Sequence, residues 1–161
     1  MKINGWTILF HPLFNDQWQQ LLHQVKSLHS RLPTDDFVKH PQVELFKALT
    51  VGIEEKIPHD PLASYFALRK PLDKYSRLKK MGLPIGFADS TASLADASRH
   101  RYRLFFKVFP QQKVIIILWL GFPRKEGDKK DCYRIFAKMV KKGQFPLSLK
   151  DLIDSDNGQE S

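Results

Sequence analysis

The chain has a single cysteine, Cys132, among 161 residues. That excludes an internal disulfide and a cysteine-based zinc site, and it suits a reducing, cytoplasmic setting. The phosphate-binding glycine loop, the G-x-S-x-G elbow, the H-E-x-x-H helix and the C-x-x-C pair are all missing. Six histidines, at 11, 23, 29, 40, 59 and 100, show no metal-ligand spacing; the expectation is no metal site. Glu54 and Glu55 adjoin and point in different directions on a helix. Long hydrophobic runs are absent too. The longest, Val114–Leu120 (VIIILWL), falls far short of the roughly 20 residues that a bilayer helix needs, so no membrane role is expected. The opening MKINGWTILFHPLF lacks a signal-peptide hydrophobic region before His11 and Asn15.

Acidic residues are the minority charge. Lys and Arg number 26 against 17 Asp and Glu, a net +9 with a pI near 9.7. Residues 151–161, DLIDSDNGQES, hold four acids and no base, so residues 1–150 carry +13, the whole-chain +9 less the tail's −4. Such a surface favours a polyanion: RNA, DNA, an anionic membrane or an acidic protein. The length suits one domain with a real core. The expected division is a folded domain over residues 1–146 and a flexible acidic tail over 147–161.

Periodicity supplies the elements. GWTILF (Gly5–Phe10) reads as a first strand. From Asn15 or Asp16, Trp18, Leu21, Leu22, Val25, Leu28 and Leu32 recur at helical spacing, with Pro33 beyond the end. A second helix after Pro41 carries Val43, Phe46, Leu49, Ile53 and Ile57 on one stripe and is stopped by Pro58 and Pro61. Lys74–Pro84 alternates as a strand, with Tyr75, Arg77, Lys79 and Met81 on one face. Residues 86–100 read as a long loop with a short helix at Ser93–Ala97. RYRLFFKVF (Arg101–Phe109) and KVIIILWL form a hairpin; the second of these, apolar on both faces, belongs in the middle of a sheet. A last helix from Asp128 buries Cys132, Ile135, Phe136, Met139 and Val140, and Gly143 ends it. The expected class is α+β: an antiparallel sheet with two N-terminal helices and a C-terminal helix, packed on one face.

In RYRLFFKVF, Arg101, Arg103, Phe105, Lys107 and Phe109 share one parity. Beside a strand bearing Arg77 and Lys79, that parity makes one basic surface. Arg124 and Lys125 follow the central strand, and Lys129 and Lys130 precede the last helix, with Tyr133 close behind. Tyr75, Phe105 and Tyr133 lie among these cations. Phosphates pair with such cations, and unstacked bases rest on aromatic rings. The same groups suit metal-free RNA cleavage. The ribose 2′-OH is an internal nucleophile, guanidinium groups stabilise the extra phosphoryl charge, and a Tyr or Lys handles protons. The residues alone leave three readings open: an enzyme, a binding module, or a solvated basic face.

NGWTILFHPLF, IPHDP, RYRLFFKV followed by KVIIILWL, and GDKKDCYRIFAKMVKKGQFP occur here in that order. In motif and spacing the chain resembles the YhaV family of bacterial toxins, within the RelE/ParE toxin superfamily. The resemblance implies a RelE/ParE-like α+β fold and a cytoplasmic endoribonuclease that cuts mRNA on the ribosome, needs no cofactor and inhibits translation. It also implies a cognate AbrB-like (PrlF-type) antitoxin, and operator DNA bound by the toxin–antitoxin complex. Carried over by position, Arg77 and Arg103 stabilise transition-state charge, Lys79 and Arg124 orient phosphate, and Tyr133 stacks on a base or assists proton transfer. Arg101, Phe105, Lys107, Lys125, Lys129 and Lys130 complete the RNA-binding set. The rival readings are a non-catalytic RNA- or ribosome-binding protein and a ParE-like inhibitor of a protein target such as gyrase. The segment between Met81 and Ser98 is longer than the family pattern.

Overall fold

A computed structural model describes residues 1–79, 102–122 and 127–151. The chain opens with a small hairpin, β1 (Lys2–Ile3) and β2 (Trp6–Phe10). Asn4 and Gly5 turn it, with φ of 52° and 82°. Both central residues of a two-residue hairpin turn take positive φ, which Asn-Gly tolerates best. This dipeptide was the available signal for β1, which the reading of one strand from Gly5 did not include.

Helix α1 (Pro12–Arg31) follows at once. Its cap is His11, not Asn15 or Asp16. The His11 Nδ1 accepts from the Leu13 N–H at 3.2 Å, and Pro12 fills the first helical position, where its missing N–H costs nothing. Phe14, Leu21 and Leu28 are buried, with Trp18 and Val25 beside the same core. A short extra helix, α2 (Thr34–Lys39), leads to α3 (Pro41–Val51), capped in the same way by His40. The helical run then widens into a π turn (Gly52–Lys56) and ends as α4 (Ile57–His59). The chain therefore stays helical through Pro58. The wide turn, closed by the Ile57 N–H on the Gly52 carbonyl, carries the helix past a residue with no N–H to offer.

After a 3₁₀ turn (Ser64–Phe66) come β3 (Ser76–Leu78), β4 (Arg103–Phe109) and β5 (Val114–Gly121), and finally α5 (Cys132–Lys141). The sheet order is β1-β2-β5-β4-β3. The α+β class is as expected, and β5 is central. One pairing differs: β2 runs parallel to β5, Thr7 level with Val114, while the other pairs are antiparallel. The helices between them return the chain before the β4–β5 hairpin forms, so both strands run the same way. Beyond the end of β2, the Gln17 amide both donates to the Leu120 carbonyl (2.9 Å) and accepts from its N–H (2.8 Å). A side chain thus pairs part of β5 that no strand covers.

The helices occupy both faces, not one. Trp6, Ile8, Leu104, Phe106, Ile115 and Ile117 form a core with α1 and α3. Tyr75, Phe105, Ile116, Leu118, Cys132, Phe136 and Phe145 form a second core under α5. A bulge in β5 matters here. Phe105 lies level with Trp119 but Phe106 with Ile117, so Leu118 and Trp119, though consecutive, both face α5. Leu149 also packs on this second core; residues 152–161 lie outside the described residues. No helix among the described residues is long and apolar enough to cross a membrane.

Gly121 sets how closely α5 approaches. A β-carbon there would stand 2.7 Å from Trp119 Cζ3, 2.8 Å from Cys132 Cβ and 3.1 Å from Phe105 Cε2. Gly121→Ala is expected to cost about 1–3 kcal/mol, the usual range for overpacking, read as a lowered Tm in thermal unfolding. It should also displace the start of α5, where Tyr133 sits.

Candidate functional site

The site lies where β3, β4 and the first turn of α5 meet. Arg77 pairs in register with Phe105, and Arg103 with Gly121. Arg103 is therefore two positions from Arg77's direct partner and on the same face. Such diagonal neighbours have Cα atoms about 7–8 Å apart, within reach of long side chains. Lys79 follows β3 directly, is exposed, and shares Arg77's parity.

Arg77 is held from several sides. Its Nε donates to the Tyr133 hydroxyl at 2.8 Å. Its Nη1 donates to the carbonyls of Ala67 at 3.0 Å and Tyr65 at 3.4 Å. Among the described residues, Nη2 makes no hydrogen bond. A guanidinium fixed through two nitrogens aims the third without further loss of freedom. Tyr133 arrives at this point because α5 begins beside it: Asp131 caps the helix and accepts from the Tyr133 N–H at 3.1 Å. The Tyr133 ring also stands edge-on to Phe105, with centroids 5.6 Å apart. Packing and hydrogen bonding thus act together at Tyr133 rather than as alternatives. Arg103 Nη1 donates to the Tyr102 carbonyl at 2.9 Å.

The structure brings Arg77, Lys79, Arg103 and Tyr133 to one end of one sheet face. Lys129 and Lys130 are exposed just before α5. Arg101, Arg124 and Lys125 lie outside the described residues. Two expected RNA-binding residues are corrected. Phe105 has no exposed surface; it is stacked on Phe136 with centroids 4.1 Å apart and cannot receive a base. Lys107 is buried, with Nζ donating to the Lys74 carbonyl at 3.0 Å over the ring of Tyr75 (4.6 Å). Burial, and secondarily the charge of Lys74, hold its pKa below the usual lysine value. Tyr75, expected among the surface aromatics, is buried edge-on to Phe136, and burial raises its pKa. These groups belong to the second core because α5 covers most of the face whose cations suggested an open surface.

Two features were not anticipated: the carbonyl bracket on Arg77 and the exposed ring of Tyr65 beside it. The bracket leaves no trace in sequence, since any residue supplies a carbonyl. Among the described residues, no group of three or more His, Cys, Asp and Glu side chains is arranged to hold a metal ion.

Comparison with known proteins bears on this site. Residues 8–88 and 90–157 match the family model described as a toxin with endonuclease activity, of a toxin–antitoxin system. The chain is 28% identical over 154 residues to Toxin YhaV of Escherichia coli O6:H1, covering 94% of this chain and 92% of that protein. The same values hold for Ribonuclease toxin YhaV of Escherichia coli K12. Among solved structures, the isolated E. coli RelE toxin aligns with 85% of this chain and 97% of its own, at 14% identity and a TM-score of 0.36. The match to the family model spans nearly the whole chain, and the chain belongs to the YhaV family of toxins with endonuclease activity from toxin–antitoxin systems.

Proposed function

We propose that this toxin is a metal-independent endoribonuclease that cleaves mRNA on the ribosome and so stops translation. The observation that carries the reading is the bond from Arg77 Nε to the Tyr133 hydroxyl, on a face shared with Arg103. The ribonuclease name of a relative 28% identical and the +9 charge support RNA as the substrate. In the proposed step the 2′-oxygen attacks the adjacent phosphorus. The O2′–P bond forms as the P–O5′ bond breaks, giving a 2′,3′-cyclic phosphate and a 5′-hydroxyl. Water takes the 2′ proton as the bond forms, and the Tyr133 hydroxyl gives its proton to the departing 5′-oxygen. Arg77 Nη2 and Arg103 stabilise the charge gathered on the phosphoryl oxygens, while Lys79 and Arg124 orient the phosphate. The bond that Tyr133 accepts from Arg77 Nε at 2.8 Å supports this role for its hydroxyl. Lys129 and Lys130 attract the backbone electrostatically.

Family membership carries a cognate antitoxin with it; we propose that this partner is AbrB-like, of PrlF type, that the pair binds operator DNA, and that the toxin acts in the cytoplasm. The test of the reaction uses a ribosome-bound RNA with a single 2′-deoxy substitution at the mapped cut. Cleavage there is expected to stop, while the unmodified RNA is cut to a 2′,3′-cyclic phosphate and a 5′-hydroxyl. Cleavage of the deoxy substrate, or a 5′-phosphate on the product, overturns the mechanism.

A further inference from the structure

We propose that Tyr65 is the stacking platform for a base adjoining the scissile phosphate, a substrate-binding residue that rests on the endoribonuclease reading of the Arg77–Tyr133 site. Tyr65 lies in the 3₁₀ turn Ser64–Phe66, and the residue is 64% exposed. The ring makes a T-shaped contact with Phe66, centroids 4.5 Å apart, whereas Phe122, the other exposed aromatic among the described residues, is stacked on Tyr102 at 4.4 Å.

Tyr65 is exposed, yet its backbone is well anchored. Its own carbonyl accepts from Arg77 Nη1 at 3.4 Å, and that of Ala67 does so at 3.0 Å. Between them Phe66 is buried and packs edge-on to Phe106, centroids 5.4 Å apart. The next residue pairs with the sheet, Ala67 bridging Ser76. The backbone of Tyr65 is thus tied to the group assigned to the phosphate, and its neighbour is tied to the core. The ring, in edge contact with Phe66 at 4.5 Å between centroids, therefore belongs to the residue whose carbonyl the guanidinium holds, and we place the sugar-phosphate chain beside it. Phosphate at Arg77 and base at Tyr65 then belong to the same or the next nucleotide. Stacking needs only a π-face, so the contact tolerates any base and favours purines by area. A tyrosine gives that contact with little side-chain freedom to lose.

The experiment uses the full-length toxin and ribosome-bound RNA carrying 2-aminopurine on either side of the mapped cut. Wild type is expected to quench one of the two probes. Tyr65→Ala should lose that quenching and raise KM about 5- to 100-fold, the range of one base–aromatic stack. Tyr65→Phe and Tyr65→Trp should keep both properties, and Tyr65→Leu should behave as alanine. Unchanged KM and quenching in Tyr65→Ala overturns the proposal, as does a fall in kcat alone, which would make Tyr65 a support for Arg77. Arg77→Ala, run in parallel, separates the two readings. An active Arg77→Ala refutes the site itself, whereas an inactive one beside a normal Tyr65→Ala refutes only the base platform.

Discussion

Arg77→Ala is expected to lower the single-turnover cleavage rate by about 10³-fold or more while the protein stays folded. Removing one preorganised donor to a developing oxyanion costs about 10²–10³ in rate. Here a second loss adds to the first. Arg77 Nε donates to the Tyr133 hydroxyl, so alanine also removes this constraint on the group assigned to proton transfer. Arg77→Lys restores a charge but not the three-nitrogen fork that reaches Tyr133, Ala67 and Tyr65 together. It should recover only part of the rate. Thermal unfolding distinguishes this from simple loss of structure, because Arg77 is only half-buried on a short edge strand. A soluble, folded Arg77→Ala toxin that still cleaves would remove Arg77 from the chemistry.

Much of the fold is visible in local pattern, because local pattern records which side of an element meets a core. The alternation in Arg103–Phe109 separates Leu104 and Phe106, in the core with α1 and α3, from Phe105 and Phe109, which meet α5. The apolar run Val114–Leu120 is central, as its two-sided hydrophobicity requires. The stripe of Cys132 and Phe136 is buried. What such patterns do not record is the partner. The basic parity of β4 and the apolar stripe of α5 were each legible alone, but that one covers the other depends on contacts across about thirty residues of chain. For this reason Phe105 and Lys107, surface residues by parity alone, are buried. Arg77 and Arg103 share a face because a strand register follows from alternation; the carbonyls of Tyr65 and Ala67 that fix Arg77 come from a turn with no periodicity at all.

The cover itself is the second point of large expected effect. Phe136 has no exposed surface. It stacks on Phe105 at 4.1 Å, meets Tyr75 edge-on at 5.4 Å, and adjoins Phe145 at 5.1 Å and Trp119 at 6.4 Å. Phe136→Ala empties the centre of this group, which α5 shares with the sheet. The expected loss is about 3–5 kcal/mol, as for buried Phe→Ala changes. For a chain of this size each kcal/mol lowers Tm by about 2–4 °C, so the midpoint should fall by roughly 6–20 °C. The loss should not be uniform. The core with α1 and α3 shares no cluster with Phe136, so amides of Cys132–Lys141 should exchange faster well before those of Pro12–Arg31. Cleavage should fall further than the unfolded fraction explains, since Tyr133 rides on the loosened helix and small misplacements of a reacting group cost up to about 10²-fold. Phe136→Leu keeps most of the volume and should retain more of both properties. Equal acceleration of exchange in α1 and α5 would show that the two cores unfold as one unit, and that the site does not depend on α5 separately.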